Sequence, residues 1–412
     1  MLNFAVMGHG VVGSGVVELF YKNRESIVAK AGVEMDLKYI LDIREFPGLD
    51  YSDKFTKDFE VILNDPEVTV VAEVMGGLNP AYDFTKRCLL AGKSVVTSNK
   101  ELVAAKGAEL LSIAKEKNVN YLFEASVGGG IPIIRPISQC LAANDINDIL
   151  GILNGTTNFI MTKMINEGMS FDDALALAQN LGYAERNPSA DVDGHDACRK
   201  ICILASLALG KHVYPAQVHT EGITKITSDD VAFAGAADAV IKLIGRVKKQ
   251  DDGRIQCTVG PMVVPKESQL SSVDDVFNAI MVRGDATGDV MFYGKGAGKL
   301  PTASAVMADI IDCMKHIKTR KFVYWEEGSA DYVADYLDDS VALYIRAKAA
   351  DNNEAMTAIE NTFGKVKFLE FEGAKAHEIA FITPVAVERE LREKLKSLSL
   401  TIEPVNVLRV CD

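Results

Sequence analysis

The sequence predicts an α/β protein in three parts: a parallel sheet covered by helices on both faces, an α+β middle domain, and a C-terminal ferredoxin-like domain. Three observations carry that prediction. Over the first 130 residues, continuous apolar runs alternate with amphipathic stretches, which is the βαβ rhythm of a sheet buried on both sides. After Ile131-Pro132 the rhythm gives way to longer mixed segments. From Tyr336 onward the pattern becomes βαββαβ.

The elements follow in order. Leu2–Met7, apolar except for Asn3, reads as the first strand, and a helix opens at Val11. Met35–Leu41 is the second strand. Val68–Met75 leads to a helix from Ala81, Lys93–Thr97 to a helix from Leu102, and Asn120–Glu124 closes the series. In the middle domain Asp148–Leu153 reads as a strand, followed by helices near Phe159–Glu167 and Phe171–Leu181. Ala197–Leu209 is almost wholly apolar beyond Lys200 and stops at Gly210, as a helix does whose tail is buried and whose mouth is charged. The last part reads as strand Val341–Arg346, helix Asn353–Phe363, strands Val366–Glu372 and Glu378–Thr383, helix Ala386–Leu398 and strand Val405–Arg409.

Composition narrows the function. A chain of 412 residues with 48% hydrophobic content can bury several cores. A net charge of −13 argues against nucleic acid or an anionic membrane as a partner. No apolar run reaches the ~18 residues of a membrane span, and the chain starts directly in a strand, so a soluble, cytoplasmic protein is expected. Seven cysteines read as reduced residues rather than a disulfide framework. His195, Cys198 and Cys202 invite a zinc reading, but a fourth ligand and a second Cys/His pair at metal spacing are missing.

Two segments carry chemistry. Gly8-His9-Gly10-Val11-Val12-Gly13 fits G-x-G-x-x-G between a strand and a helix. There the glycines allow a tight turn and close backbone approach, and the helix N-terminus offers N–H groups to a pyrophosphate, so a Rossmann-type dinucleotide domain is predicted. Asp42 ends the second strand, placed to accept from the ribose hydroxyls of NAD, whereas Arg44 favours the 2′-phosphate of NADP. The second segment, Ala178 to Lys200, is a polar loop punctuated by Gly and Pro that brings four carboxylates to the mouth of an apolar helix. Asp196 and Lys200 lie four apart, on one helical face. The pair reads either as an exposed ion pair worth roughly 0.2–0.5 kcal/mol or as a lysine tuned toward proton transfer.

This second segment resembles the signature of homoserine dehydrogenases, matching at Ala178, Gly182, Tyr183, Ala184, Asn187, Pro188, Asp191, Val192, Gly194, Asp196 and Lys200. The resemblance implies interconversion of L-homoserine and L-aspartate 4-semialdehyde with NAD or NADP. It makes Lys200 the general acid/base, with Asp196 beside it and Lys100, after Ser98-Asn99, at the junction of nicotinamide and substrate. Glu185 would hold the amino group, while Asp191, Gly155, Thr156 and Tyr183 would complete the substrate pocket. Gly76 and Ser98 would border the cofactor. The segment Tyr293-Gly-Lys-Gly-Ala-Gly298, followed by Pro301-Thr302-Ala-Ser304, would cover it and return the chain to the first domain. Glu124, with carbonyls near Val127, Gly129 and Ile131, would hold a monovalent cation, sodium in this family.

The implied domains are 1–131 rejoined by 297–320 for the dinucleotide, 132–296 for catalysis and dimerisation, and 337–412 resembling an ACT regulatory domain. A homodimer or homotetramer is implied. The ACT resemblance departs from its pattern at Ala350-Asp351-Asn352-Asn353-Glu354, where the usual Asp-x-Pro-Gly turn is missing, so threonine feedback does not carry over. Two other functions are a dehydrogenase acting on a different amino-acid aldehyde and a non-catalytic nucleotide sensor. A sensor has no need of Glu185, Asp196 and Lys200 together.

Overall fold

The computed structural model describes residues 1–317 and 319–411. Lys318, in the returning segment 297–320, and Asp412, at the end of 337–412, lie outside the described residues. Two compact units are present, one comprising Met1–Asn147, Cys202–Pro215 and Val282–Ser329, the other Asp148–Ile201, Ala216–Met281 and Ala330 to the C-terminus. Among the described residues no helix is long and apolar enough to cross a membrane.

The first unit holds a six-stranded sheet ordered Phe55–Thr56, Met35–Leu41, Leu2–Met7, Val68–Glu73, Ser94–Thr97, Tyr121–Leu122. Every pairing is parallel. This is the doubly wound order 3-2-1-4-5-6, whose switch point lies between the first and fourth strands. Phe4, Val6, Val70, Ala72 and Val96 are fully buried, as a sheet covered on both faces requires. The helix Lys299–Lys315 also packs here, with Gly15 so close that a Cβ would lie 3.0 Å from that of Ala303. Behind the sheet Trp325 Nε1 donates to His212 Nδ1 at 2.8 Å, and His212 Nε2 meets the Ala104 carbonyl at 2.9 Å. Both ring nitrogens are thus used by the neutral form, and burial pushes this histidine's pKa down.

In the second unit the strands run in the order Phe277–Gly284, Ile146–Ile152, Ala239–Lys249, Ile255–Pro265, Ile402–Val410, Leu343–Ala349, Glu378–Ile382, Lys367–Leu369. The pair Ala239–Lys249 and Ile255–Pro265 is antiparallel over eleven residues. Ile402–Val410 then joins Ile255–Pro265 in parallel through Met262 and Arg409, and through Val263 and Val410. The βαββαβ segment is therefore one sheet with the strands before it. Its own core is Leu343, Ile345, Ile359, Phe381 and Leu391.

Beneath that sheet Arg346 is buried with its charge engaged. Nε donates to Asp230 Oδ1 at 2.8 Å, one terminal nitrogen to Glu378 at 3.1 Å and the other to the Thr227 hydroxyl at 3.0 Å. Asp230 is fully buried and takes a further bond from Asn406. Removing one partner of such a pair strands the other charge. Asp230→Ala is expected to cost about 3–5 kcal/mol in urea unfolding of the second unit, and a loss under about 1 kcal/mol would show that Arg346 finds water instead.

Candidate active site

The nucleotide end lies in the first unit. Gly8 has φ +99°, and a Cβ on Gly13 would stand 1.9 Å from the Gly8 carbonyl oxygen, so only glycine fits at Gly13. Gly10 precedes the helix Val11–Lys22 without a side-chain cap, and nothing lies within 4 Å of where its Cβ would be. The first N–H groups of an α-helix have no partner within it, and such an end is suited to an anion. A cleft of about 400 Å³ continues from Gly8 and Gly10 past Asp42, Arg44 and Lys57 to Val74, Met75 and Pro80. A polar rim and apolar wall of this kind fit a ribose and an adenine.

Asp42, expected from the sequence at the ribose, is engaged within its own turn. Its carboxylate accepts from His9 N at 2.7 Å, Arg44 N at 2.9 Å, and Arg44 Nε and Nη2 at 3.0 and 2.9 Å. The Arg44 guanidinium holds that carboxyl well below the usual carboxylate range. Arg44 itself is 57% exposed in its side chain and lies over the Phe46 ring. The pairing is local: Arg44, two residues after Asp42, reaches back as a bidentate fork.

Two strand ends, those of Val68–Glu73 and Ser94–Thr97, are tied together through Glu73 and Thr97, which were not singled out from the sequence. Glu73 is fully buried and accepts from Met75 N at 2.8 Å, Gly76 N at 3.4 Å and the Thr97 hydroxyl at 2.6 Å. Burial pushes its pKa up. Asn99 caps the helix Lys100–Lys117 through Leu102 N and donates to the Gly77 carbonyl at 2.7 Å. Ser98 N donates to the Glu73 carbonyl, and Lys100 is the first residue of its helix. Gly76 and Ser98 thus share one corner of the sheet, where ligands of open α/β folds bind.

At the Gly-rich loop the Glu124 carboxylate accepts from Ile133 N, Ile134 N and Arg135 N at 2.7, 2.9 and 3.0 Å. It caps the following turn. Val127, Gly129 and Ile131 are buried, and among the described residues no hydrogen bond is formed to their carbonyl oxygens. Gly129, at φ +55°, lies so close to the Gly296 carbonyl that a Cβ would come within 2.5 Å. Gly298 caps Lys299–Lys315 at φ +123°.

The substrate end lies in the second unit. Lys200 and Asp196 are buried, 7% and 3% exposed, on the helix His195–Leu209. Lys200 Nζ donates to Asp196 Oδ2 at 2.6 Å and to the Leu153 carbonyl at 2.7 Å. The exposed ion pair is thereby excluded. Asn154 Nδ2 reaches both Asp191 Oδ1 at 2.6 Å and Asp196 Oδ2 at 2.9 Å. Gly155 and Thr156 open the helix Gly155–Glu167, and the Thr156 hydroxyl donates to the Tyr183 carbonyl at 2.6 Å. Tyr183 is half-exposed, its ring edge-on to Phe159, and Glu185 is exposed. The loop is held from behind. Ile223 N donates to the Val192 carbonyl at 2.8 Å, and a Cβ on Gly222 would come within 2.2 Å of that oxygen.

The family model described as Homoserine dehydrogenase matches residues 132–311, and the one described as Homoserine dehydrogenase, NAD binding domain, matches residues 8–124. The homoserine dehydrogenase of Neisseria gonorrhoeae is 35% identical over 431 residues, spanning 99% of this chain and 98% of its own. The chain belongs to the homoserine dehydrogenase family. It is therefore an NAD(P)-dependent oxidoreductase. The crystal structure of the homoserine dehydrogenase from Thiobacillus denitrificans superposes with a TM-score of 0.88 at 32% identity, over 100% of this chain and 98% of that one. A hyperthermophilic archaeal homoserine dehydrogenase in complex with NADPH covers 76% of this chain and 97% of its own, with a TM-score of 0.65 at 29% identity.

For a family that binds a dinucleotide, the crowding at Gly13 has a direct consequence. Gly13→Ala must push the loop open by more than 1 Å, and NAD(P) affinity measured by calorimetry is expected to fall about tenfold or more. Unchanged affinity would separate the loop from the cofactor.

Proposed function

We propose that this chain interconverts L-homoserine and L-aspartate 4-semialdehyde, with Lys200 as the proton carrier. One observation carries the reading: a buried ammonium anchored to Asp196 and the Leu153 carbonyl at the start of a helix, beside the N-terminal end of the Gly155 helix. Glu185 anchors the substrate ammonium, and the N–H groups at Gly155 and Thr156 receive its carboxylate. Tyr183 and Asp191 bound the pocket, and Lys100 lies on the nicotinamide side. The dinucleotide, when bound along Gly8, Gly10, Val11, Val12 and Gly13, supplies or accepts the hydride at C4. In oxidation neutral Lys200 takes the hydroxyl proton as the C4 oxygen becomes a carbonyl, and in reduction Lys200 returns a proton to that oxygen.

The finer features follow the same reading. The carbonyls of Val127, Gly129 and Ile131 suit a sodium ion, since a hard cation takes oxygen ligands from backbone as readily as from carboxylate. Arg44, with Lys57 beside it, supports use of NADP as well as NAD. The chain divides into a dinucleotide domain at 1–131 rejoined by 297–320, a catalytic and dimerisation domain at 132–296, and an ACT-like domain at 337–412. The βαββαβ sheet supports that last assignment. The protein works in the cytoplasm, in threonine and methionine biosynthesis, as a homodimer or homotetramer.

The test follows reduced nicotinamide by absorbance with homoserine and its analogues. Lys200→Ala is expected to lower turnover by roughly 10²–10⁴ while dinucleotide binding persists. Preference for another alcohol, or no turnover with any, would refute the assignment. For the cofactor, Arg44→Ala exposes the Asp42 carboxylate and removes a cation, so the NADP to NAD ratio of kcat/KM should fall about tenfold. A constant ratio would place the 2′-position elsewhere.

A further inference from the structure

We propose that Asn154 is a positioning residue for the proton transfer, a single buried amide that sets the charge balance around Lys200 by bridging Asp191 and Asp196. This rests on the reading of Lys200 as the proton carrier.

The amide is fully committed. Its nitrogen gives one hydrogen to Asp191 Oδ1 at 2.6 Å and the other to Asp196 Oδ2 at 2.9 Å. Its oxygen accepts from Thr157 N at 2.8 Å and from the Thr157 hydroxyl at 3.0 Å, capping the helix Gly155–Glu167. The flipped amide is excluded, because it would set the oxygen against two carboxylates and the NH₂ against an N–H. Capping alone does not require asparagine, since aspartate, serine and threonine serve as well at this position. Only an amide both accepts from the helix and donates to two carboxylates.

The consequence passes to Lys200 through one shared atom. Asp196 Oδ2 takes bonds from Asn154 and from Lys200 Nζ, while the carbonyl of Leu153, one residue before Asn154, takes another from Nζ. Leu153 is held in turn by Gly245, where a Cβ would come within 3.0 Å of its side chain. Asp191, from the short helix Ser189–Val192, meets Asp196 and Lys200, from the helix His195–Leu209, at this seat. The donated N–H groups offset the negative charge of both carboxylates and so moderate their pull on the ammonium. Without them Lys200 binds its proton more tightly, and oxidation of an alcohol, which needs the neutral amine, begins at higher pH.

Two variants keep the cap and remove the bridge. Asn154→Asp places a third carboxylate beside the other two, and Asn154→Ser leaves them without the donors. Both are expected to fold, because the Thr157 cap survives, and both should keep dinucleotide affinity. In each, the acid limb of kcat/KM for homoserine oxidation should move to higher pH, further for Asn154→Asp, with turnover down by about 10²-fold at neutral pH. An acid limb that stays in place in both variants overturns the proposal, whatever happens to turnover or melting temperature. Lys200→Ala run in parallel separates the two levels. If it is inactive while the Asn154 limbs do not move, only the Asn154 role falls; if it retains turnover, the Lys200 reading falls and takes this inference with it.

Discussion

The buried pair of Lys200 and Asp196 is the constraint on which the second unit depends. Taking an ammonium and a carboxylate out of water costs several kcal/mol for each ion, and their attraction repays that only with good geometry and further hydrogen bonds. The helix start supplies the pairing by four-residue spacing, and the strand end at Leu153 and Asn154 supplies the rest. Such a site is poor value for stability alone. It is consistent with a lysine whose proton must be exchangeable in a shielded place.

The first unit solves an opposite electrostatic problem. A chain of net charge −13 must attract a polyanion. It does so with backbone: a glycine loop crowded against itself at Gly8 and Gly13, and an uncapped helix end. The acidic groups nearby are neutralised or withdrawn. Asp42 is matched by Arg44 and His9 N, and Glu73 is turned inward to organise the turns at Met75 and Gly76. Their negative charge is thus offset locally without changing the charge of the chain.

Much of this was legible because it is written in short-range pattern. Leu2–Met7 and Met35–Leu41 occur at the bounds their apolar runs predict, and the G-x-G-x-x-G turn and the Ala178–Lys200 signature have local chemical reasons. The long pair Ala239–Lys249 and Ile255–Pro265 was not legible, for it is buried on both faces and polar residues such as Lys242, Arg246 and Gln256 are buried with the rest. The helix Gly155–Glu167 begins four residues before the apolar periodicity starting at Phe159, because a side-chain cap sets its first residue. Side-chain partners were hidden for a related reason. That Asp42 pairs with Arg44, and that Glu124 accepts from three N–H groups, is set by fork geometry and by a turn nine residues on. Asn154 left a faint trace, an Asn before Gly-Thr-Thr, that spacing reads as a cap and no more.

The central claim is that the proton of the substrate hydroxyl passes to Lys200 under the control of the carboxylate beside it. The most direct measurement is the pH dependence of kcat/KM for homoserine oxidation in Asp196→Asn against the parent. Removing the anion lowers the proton affinity of the amine, so the acid limb should shift to lower pH. A limb at the parent position would mean that some other group carries the proton.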